Sequence, residues 1–229
     1  MRRFAFAFCL LCIPITLVGE TGPQVAPGLR VPGTSMPYAL DSFDGKPELV
    51  PIHHSSVTVN NHPGANVAGA MAGSFFYKPK VTTELPGAAA AVTLRSRRPV
   101  LYFHLDGQDD PGADHNENLV GWTIVRAKPD KDRRIVGQIR ITQLTGHGKH
   151  SDDIIDTKED HLPNGWTTLT PMEDLANGQY VFSPIYKGNL FASSVYAFGI
   201  DPSAADAEGA VKADPASEPG VQQASQRSH

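Results

Sequence analysis

One short stretch of the sequence concentrates residue types that bind metal ions or transfer protons. Residues 146–161, GHGKHSDDIIDTKEDH, hold three histidines and five carboxylates. Imidazole and carboxylate groups together suit zinc, copper or nickel, which need three or four ligands. His147 and His150 are close enough for one turn to bring them together, and Asp152 adds an oxygen. The stretch therefore predicts a divalent-metal site at these three residues, with a solvated loop as the alternative.

A second polar stretch has the composition of a calcium-binding loop. Residues 106–118, DGQDDPGADHNEN, are rich in oxygen-bearing side chains, and calcium takes six to eight oxygen ligands. The regular D-x-[DN]-x-[DN]-G spacing is absent, and a polar hairpin turning at Pro111-Gly112 explains the same composition. We therefore predict no resident cofactor, with zinc or calcium as the alternatives.

Catalytic motifs are missing from the chain. The sequence contains no G-x-S-x-G, H-E-x-x-H, G-x-x-x-x-G-K-[ST] or G-x-G-x-x-G, the patterns of common hydrolase, zinc-protease and nucleotide sites. A Ser-His-Asp triad assembled from separate strands stays open, because triads are recognised by geometry. The sequence predicts no catalytic residue and a protein that is not an enzyme.

Two aromatic residues lie beside turns, where a side chain reaches solvent. Trp166 follows Pro163-Asn164-Gly165, and Tyr186 precedes Lys187-Gly188-Asn189. An aromatic ring at a loop tip presents an apolar body and a polar edge to sugar or protein. We therefore predict Trp166 and Tyr186 as ligand-binding residues, while the other tryptophan and tyrosines lie in strand patterns typical of a core.

The N-terminus predicts export. Two arginines precede the apolar run FAFAFCLLCIPITLV, and the small residue Gly19 follows it, which is the pattern of a secretory signal peptide. Both cysteines of the chain, Cys9 and Cys12, lie inside this run, so the mature chain lacks disulfides and thiolate ligands. We predict a signal peptide at 1–19, no membrane span after cleavage and a periplasmic or extracellular location, with an N-terminal anchor as the alternative.

Short strands are the elements that position these residues. Tyr38–Leu40 and Leu49–Ile52 flank an Asp44-Gly45 pair typical of a hairpin turn, and residues 56–60 alternate strictly. Residues 170–178 carry the signals of a single helical turn. The chain predicts an all-β domain, an antiparallel β-sandwich or partly open barrel of about ten short strands with flexible termini.

Composition predicts the boundaries of the segments of the chain, and charge limits the classes of partner that it can bind. Residues 20–36 are rich in proline and glycine and predict an extended linker, 37–201 form the β-sandwich domain, and 202–229 predict a disordered tail because they hold too few apolar residues for a core. The net charge is -4 and the basic residues are scattered. A nucleic-acid binder would show a basic face, so nucleic acid is excluded.

Three segments, in order, resemble a group of uncharacterised secreted bacterial proteins of acidobacterial type. They are PYALDSFDGKPELVPI, ELPGAAAAVTLRSRRPVLYFHL, and MEDLANGQYVFSP followed by VYAFGID. The resemblance implies an exported β-rich fold and no particular activity. The sequence thus predicts a non-enzymatic binding or structural module of the cell envelope, with an envelope protein or glycan as partner. The alternatives are a periplasmic divalent-metal-binding protein and, third, a hydrolase.

Overall fold

The computed structural model describes residues 22–61, 80–104, 119–141, 148–150, 153–186 and 194–213. Within these ranges the protein is all-β, with eighteen strands and no helix, which confirms the predicted class. The strands are β1 (Gln24–Ala26), β2 (Leu29–Arg30), β3 (Tyr38–Phe43), β4 (Lys46–Pro51), β5 (His54–Ser56), β6 (Thr58–Asn60), β7 (Lys80–Pro86), β8 (Thr93–Leu94), β9 (Val100–His104), β10 (Leu119–Asp130), β11 (Arg133–Ile141), β12 (Gly148–His150), β13 (Ile154–Ile155), β14 (Thr157–His161), β15 (Trp166–Pro171), β16 (Gly178–Tyr186), β17 (Ser194–Ile200) and β18 (Val211–Lys212).

The larger sheet curves into a nearly closed barrel. Its strands follow the order β5-β17-β16-β10-β11-β7-β6. Strands β5 and β6 are separated by Val57 alone, yet β5 pairs with β17 and β6 pairs with β7. The two ends of the sheet are therefore formed by one continuous stretch of chain. This stretch is the alternating segment predicted at 56–60. In the structure it begins two residues earlier, at His54, and is interrupted at Val57.

Small apolar residues fill the interior of this barrel. Each strand points alternate side chains inward, so Val125 faces the interior while Ile124 faces out. With β5 and β6 counted as one strand, the barrel has six strands. Such a barrel is narrow, so mostly small side chains such as valine and alanine fit inside it. The buried interior cluster is Leu85, Val125, Ala127, Val136, Val181, Val195 and Ala197.

The second sheet covers one outer face of the barrel. Its order is β14-β15-β9-β3-β4-β18, and the core between the two sheets is aromatic. The ring of Phe103 in β9 lies 4.7 Å from Trp122 and 4.9 Å from Phe182, centroid to centroid. Strands β10, β16 and β17 are thus buried on both faces, and the fold combines the two predicted architectures, a barrel within a sandwich.

A tight hairpin at one side of this sheet was predicted correctly. Strands β3 and β4 are joined by Asp44 and Gly45, whose φ angles are 50° and 74°, as a two-residue hairpin loop requires. The ladder that follows places Asp41 directly opposite Glu48. Two carboxylates therefore face each other across the hairpin.

The predicted linker at 20–36 is wrong for its described part. Strands β1 and β2 form a two-stranded ribbon that turns at Gly28, where φ is 68°. Leu29 and Val31 are buried in a cluster on the outer face of the second sheet. Proline and glycine shape the turn of this ribbon, and its apolar residues hold it against the domain.

One other local prediction is also wrong. Residues 170–178 form no helical turn, because Thr170 and Pro171 continue β15 by pairing with β14. The loop that follows is held by the Leu175 amide, which donates to the carbonyl of Arg97 at 2.7 Å. Of the predicted tail at 202–229, the structure describes the part as far as residue 213, which includes β18 at the edge of the second sheet.

Candidate functional site

Residues 201–213, called the strap below, cross from the end of β17 to β4 and include β18 at the edge of the second sheet. The strap begins with the Asp201 amide, which donates to the carbonyl of Leu94 at 2.9 Å. Asp201 then accepts hydrogen bonds from the amide and hydroxyl of Ser203, at 2.9 and 2.7 Å. The strap ends where Val211 pairs with Leu49 in β4. It thus closes one end of the layer between the sheets.

Arg95 connects the strap to the β3–β4 hairpin. Its Nη1 donates to the carbonyls of Ala204, at 3.3 Å, and Ala205, at 2.5 Å. Its Nη2 forms an ion pair with Glu48, and its Nε donates to the carbonyl of Ser42 at 2.9 Å. One guanidinium therefore binds two backbone positions of the strap and two positions of the hairpin.

Asp41 fixes the backbone that carries this arginine. Its two carboxylate oxygens accept from the amides of Arg95 and Ser96, at 2.9 and 2.7 Å. Because Arg95 directly follows β8, which pairs with β17, the guanidinium is aimed from a rigid base. Asp41 is buried, so these two bonds are shielded from water.

Phe43 provides an apolar surface on which two cations rest. The Arg95 guanidinium carbon lies 4.4 Å from the ring centroid, and the Lys212 ammonium lies 5.5 Å from it. Both distances suit cation–π attraction. Lys212 also donates to Asp206 at 2.5 Å, which ties the end of the strap to its middle.

Glu48 is held in an unfavourable environment. It is 1% exposed, and its Oε2 has no hydrogen-bond partner among the described residues. Burial raises the pKa of Glu48, and the neighbouring Arg95 guanidinium counters only part of that rise. The ionised form of Glu48 is therefore destabilised by its burial at this end of the molecule.

Two cavities flank the strap. The larger has a volume of about 1000 Å³ and lies between the strap and the ends of β4 and β8. Its lining includes three acidic residues, Asp201, Asp206 and Glu208, and two residues with apolar surface, Tyr38 and Val92. The second has a volume of about 500 Å³ and is lined partly by serine hydroxyls, those of Ser42, Ser96 and Ser203.

The carboxylates of the larger cavity are hydrogen-bond acceptors. Hydrogen bonds from Ser203 lower the pKa of Asp201, and the hydrogen bond from Lys212 lowers the pKa of Asp206. Both groups therefore stay ionised near neutral pH. An ionised carboxylate accepts hydrogen bonds and attracts donors, so this wall can bind hydroxyl or amino groups.

Trp166 is not at a loop tip, and the prediction that it is exposed is wrong. It is 6% exposed and belongs to the outer cluster with Leu29 and Tyr38. The ribbon covers it so closely that a Cβ on Gly22 would lie 2.7 Å from its Cζ2 atom. Its ring also meets His104 edge to face, 5.0 Å between centroids. A ligand has no access to such a side chain.

The other predicted site residues are only partly described. Tyr186 ends β16 and pairs with Leu119 through the backbone, while its side chain is outside the described part. His150 lies in β12 opposite Ile139, again without a described side chain. His147 and Asp152 lie outside the described residues, as do 106–118 and the signal-peptide region. The metal-site hypothesis stays a prediction.

Elsewhere in the described ranges, no three His, Cys, Asp or Glu residues are grouped so that they could hold a metal ion. The residues that build the strap site, Asp41, Glu48 and Arg95, were not predicted. A signal for them exists, because Asp41 and Glu48 are equally distant from the Asp44-Gly45 turn. Like charges directly opposite in a hairpin destabilise it, so the pair requires a cation.

The comparisons with known proteins are negative throughout. The chain matches no protein-family model, no curated protein and no solved structure. In the part of the chain that the structure describes, no helix is long and apolar enough to cross a membrane.

Proposed function

We propose that this protein is an exported, non-enzymatic binding module of the cell envelope, and that its larger cavity holds an envelope glycan. The observation that carries the proposal is the composition of this cavity. Three carboxylates, Asp201, Asp206 and Glu208, line it together with Tyr38 and Val92. A sugar presents hydroxyl donors at its edges and C–H groups on its faces, so it fits a site with acceptors and an apolar wall.

Binding suits these carboxylates better than proton transfer does. A general acid or base works best when its pKa lies near the operating pH. The pKa values of Asp201 and Asp206 are shifted the other way, below their ordinary range. Both side chains also have fixed partners in the strap, as expected of groups that shape a site.

Export rests on the sequence. The charged start and the apolar run of the first nineteen residues are the pattern of a signal peptide, and the two cysteines of the chain both lie within it. A periplasmic or extracellular protein meets envelope glycans directly. The resemblance to secreted bacterial proteins supports the same location.

Co-sedimentation with purified peptidoglycan sacculi tests the proposal on protein recovered after export. Glu208 is the informative position, because it lines the cavity and is exposed. We expect Glu208→Gln to weaken sedimentation about fivefold, because glutamine keeps an acceptor oxygen but loses the charge, at a cost of about 1 kcal/mol. Glu173→Gln, an exposed change in the loop after β15, is the matched control and should leave binding unchanged.

Three results would contradict the proposal. Wild-type protein that stays in the supernatant with sacculi would exclude peptidoglycan as the ligand. Equal sedimentation of Glu208→Gln and wild type would remove the larger cavity from the binding site. Retention by envelope proteins in place of sacculi would replace the glycan with a protein partner.

A further inference from the structure

We infer that the strap is the gate of the larger cavity and that Arg95 is its latch. The inference rests on the proposed function, since a gate matters only where a ligand enters. Its structural core is one guanidinium that binds the strap carbonyls of Ala204 and Ala205 while it is anchored on Ser42 and Glu48.

The strap itself contributes little packing. Apart from Pro202, its apolar residues are three alanines that line the cavity, two further alanines towards its C-terminal end, and Val211, which is only partly buried. Its strand, β18, is two residues long. Few apolar contacts and a short ladder are the properties of a segment that opens locally, ahead of the rest of the fold.

Opening the strap would connect both cavities. Ala204 lines the larger and the smaller cavity alike, so the chain at this position is the partition between them. The carbonyl of Ala204 is also one of the two that Arg95 binds. Release of this contact is therefore the step that joins the two spaces.

The latch stays in place when the strap leaves. The backbone of Arg95 is held by Asp41, and its side chain keeps Glu48 and Ser42 as partners. None of these three residues belongs to the strap. The guanidinium is thus pre-organised to capture the same carbonyls again, and closure requires ordering of the strap alone.

Hydrogen exchange of the full chain, read by mass spectrometry without any ligand, tests the latch. In Arg95→Gln we expect strap amides to exchange at least about tenfold faster relative to those of β16 and β17, because two hydrogen bonds to a charged group are lost. Arg98→Gln is the matched control. Arg98 donates to the carbonyl of Met172 and forms an ion pair with Asp174. Neither residue belongs to the strap, so the exchange of strap amides should match wild type.

A second measurement covers the case in which Arg95→Gln does not fold. In wild type at low urea, strap amides should exchange at a rate that urea does not change, whereas barrel amides accelerate. Strap amides that follow the urea dependence of β16 would overturn the gate. So would equal acceleration of strap and barrel amides in Arg95→Gln. Exchange needs no glycan, so a failed sacculi experiment and a failed latch are separate results.

Discussion

Two buried glutamates show how differently the two ends of this protein are built. Glu84, in β7 of the barrel, and Glu48, in β4 of the second sheet, are each paired with an arginine. The pKa of Glu84 nevertheless falls below its ordinary value, while that of Glu48 rises. Two buried glutamates in strands thus have pKa values shifted in opposite directions.

The number of hydrogen-bond donors explains the difference. Burial acts to raise the pKa of Glu84, but donors from three barrel strands outweigh it, namely Thr82 at 2.5 Å, Arg133 at 2.9 Å and Asn60 at 3.2 Å. Glu48 has the Arg95 guanidinium, and its second oxygen is unpaired among the described residues. Hydrogen bonds favour the ionised form, and burial without them disfavours it.

The location of each glutamate in its sheet sets that number. Strand β7 lies between β6 and β11, so donors approach Glu84 from both sides. Strand β4 has β3 on one side and the two-residue β18 on the other. The barrel therefore supplies partners through its ladder, whereas the sheet edge depends on a single side chain reaching in from another loop.

The largest expected effect comes from removing that side chain. Arg95→Gln leaves the Glu48 carboxylate buried without its ion-pair partner, and loss of one partner of a buried pair costs about 3 kcal/mol. Urea unfolding at neutral pH measures the loss. Arg98→Gln removes an exposed pair with Asp174 and an exposed hydrogen bond to the Met172 carbonyl, and should cost less than about 1 kcal/mol. Equal losses in the two variants would contradict the central role of Arg95.

Glu84→Gln should have the next largest effect. The change removes the ion pair with Arg133 and weakens the bonds from Thr82 and Asn60, at a cost of about 2 kcal/mol. Urea unfolding at neutral pH again provides the measurement, with Glu173→Gln as an exposed control. A loss similar to that of the control would show that the donors around Glu84 contribute nothing to stability.

The sequence predicts the strands of both sheets better than it predicts the strap. Period-two alternation and the Asp44-Gly45 turn indicate the strands, and the turn even sets the register that opposes Asp41 and Glu48. The strap was missed because its own residues, mostly small, carry no pattern of burial. Two of its carbonyls bind Arg95, which is over a hundred residues away in the sequence. Nothing in the local sequence of either segment indicates that contact.

Trp166 illustrates the same limit from the opposite direction. Its neighbours along the chain, a turn and two threonines, indicate exposure. The residues that bury it, Leu29 and Val31, belong to a segment that proline and glycine make look like a linker. A contact between two segments that are both misread locally is beyond single-sequence reasoning.

The effect of acid on stability should separate the two glutamates. The pKa of Glu84 is lower in the folded than in the unfolded protein, so its contribution is present above about pH 4.5 and is lost as the pH falls through the folded value. The difference in unfolding free energy between wild type and Glu84→Gln should therefore shrink between about pH 6 and pH 3. A difference that stays constant would contradict the lowered pKa.

Glu48→Gln should have the smallest effect and the opposite pH dependence. The pKa of Glu48 is raised by folding, so its contribution is greatest below about pH 4.5 and is lost as the pH rises through the folded value. At neutral pH the substitution removes a poorly solvated charge along with its attraction to Arg95. These two changes offset each other, and we expect unfolding free energy within about 1 kcal/mol of wild type. Urea unfolding at two pH values tests this, because the unfolding free energy of Glu48→Gln relative to that of wild type should increase as the pH rises. A loss as large as that of Glu84→Gln would mean that one guanidinium stabilises a buried carboxylate as well as three donors do.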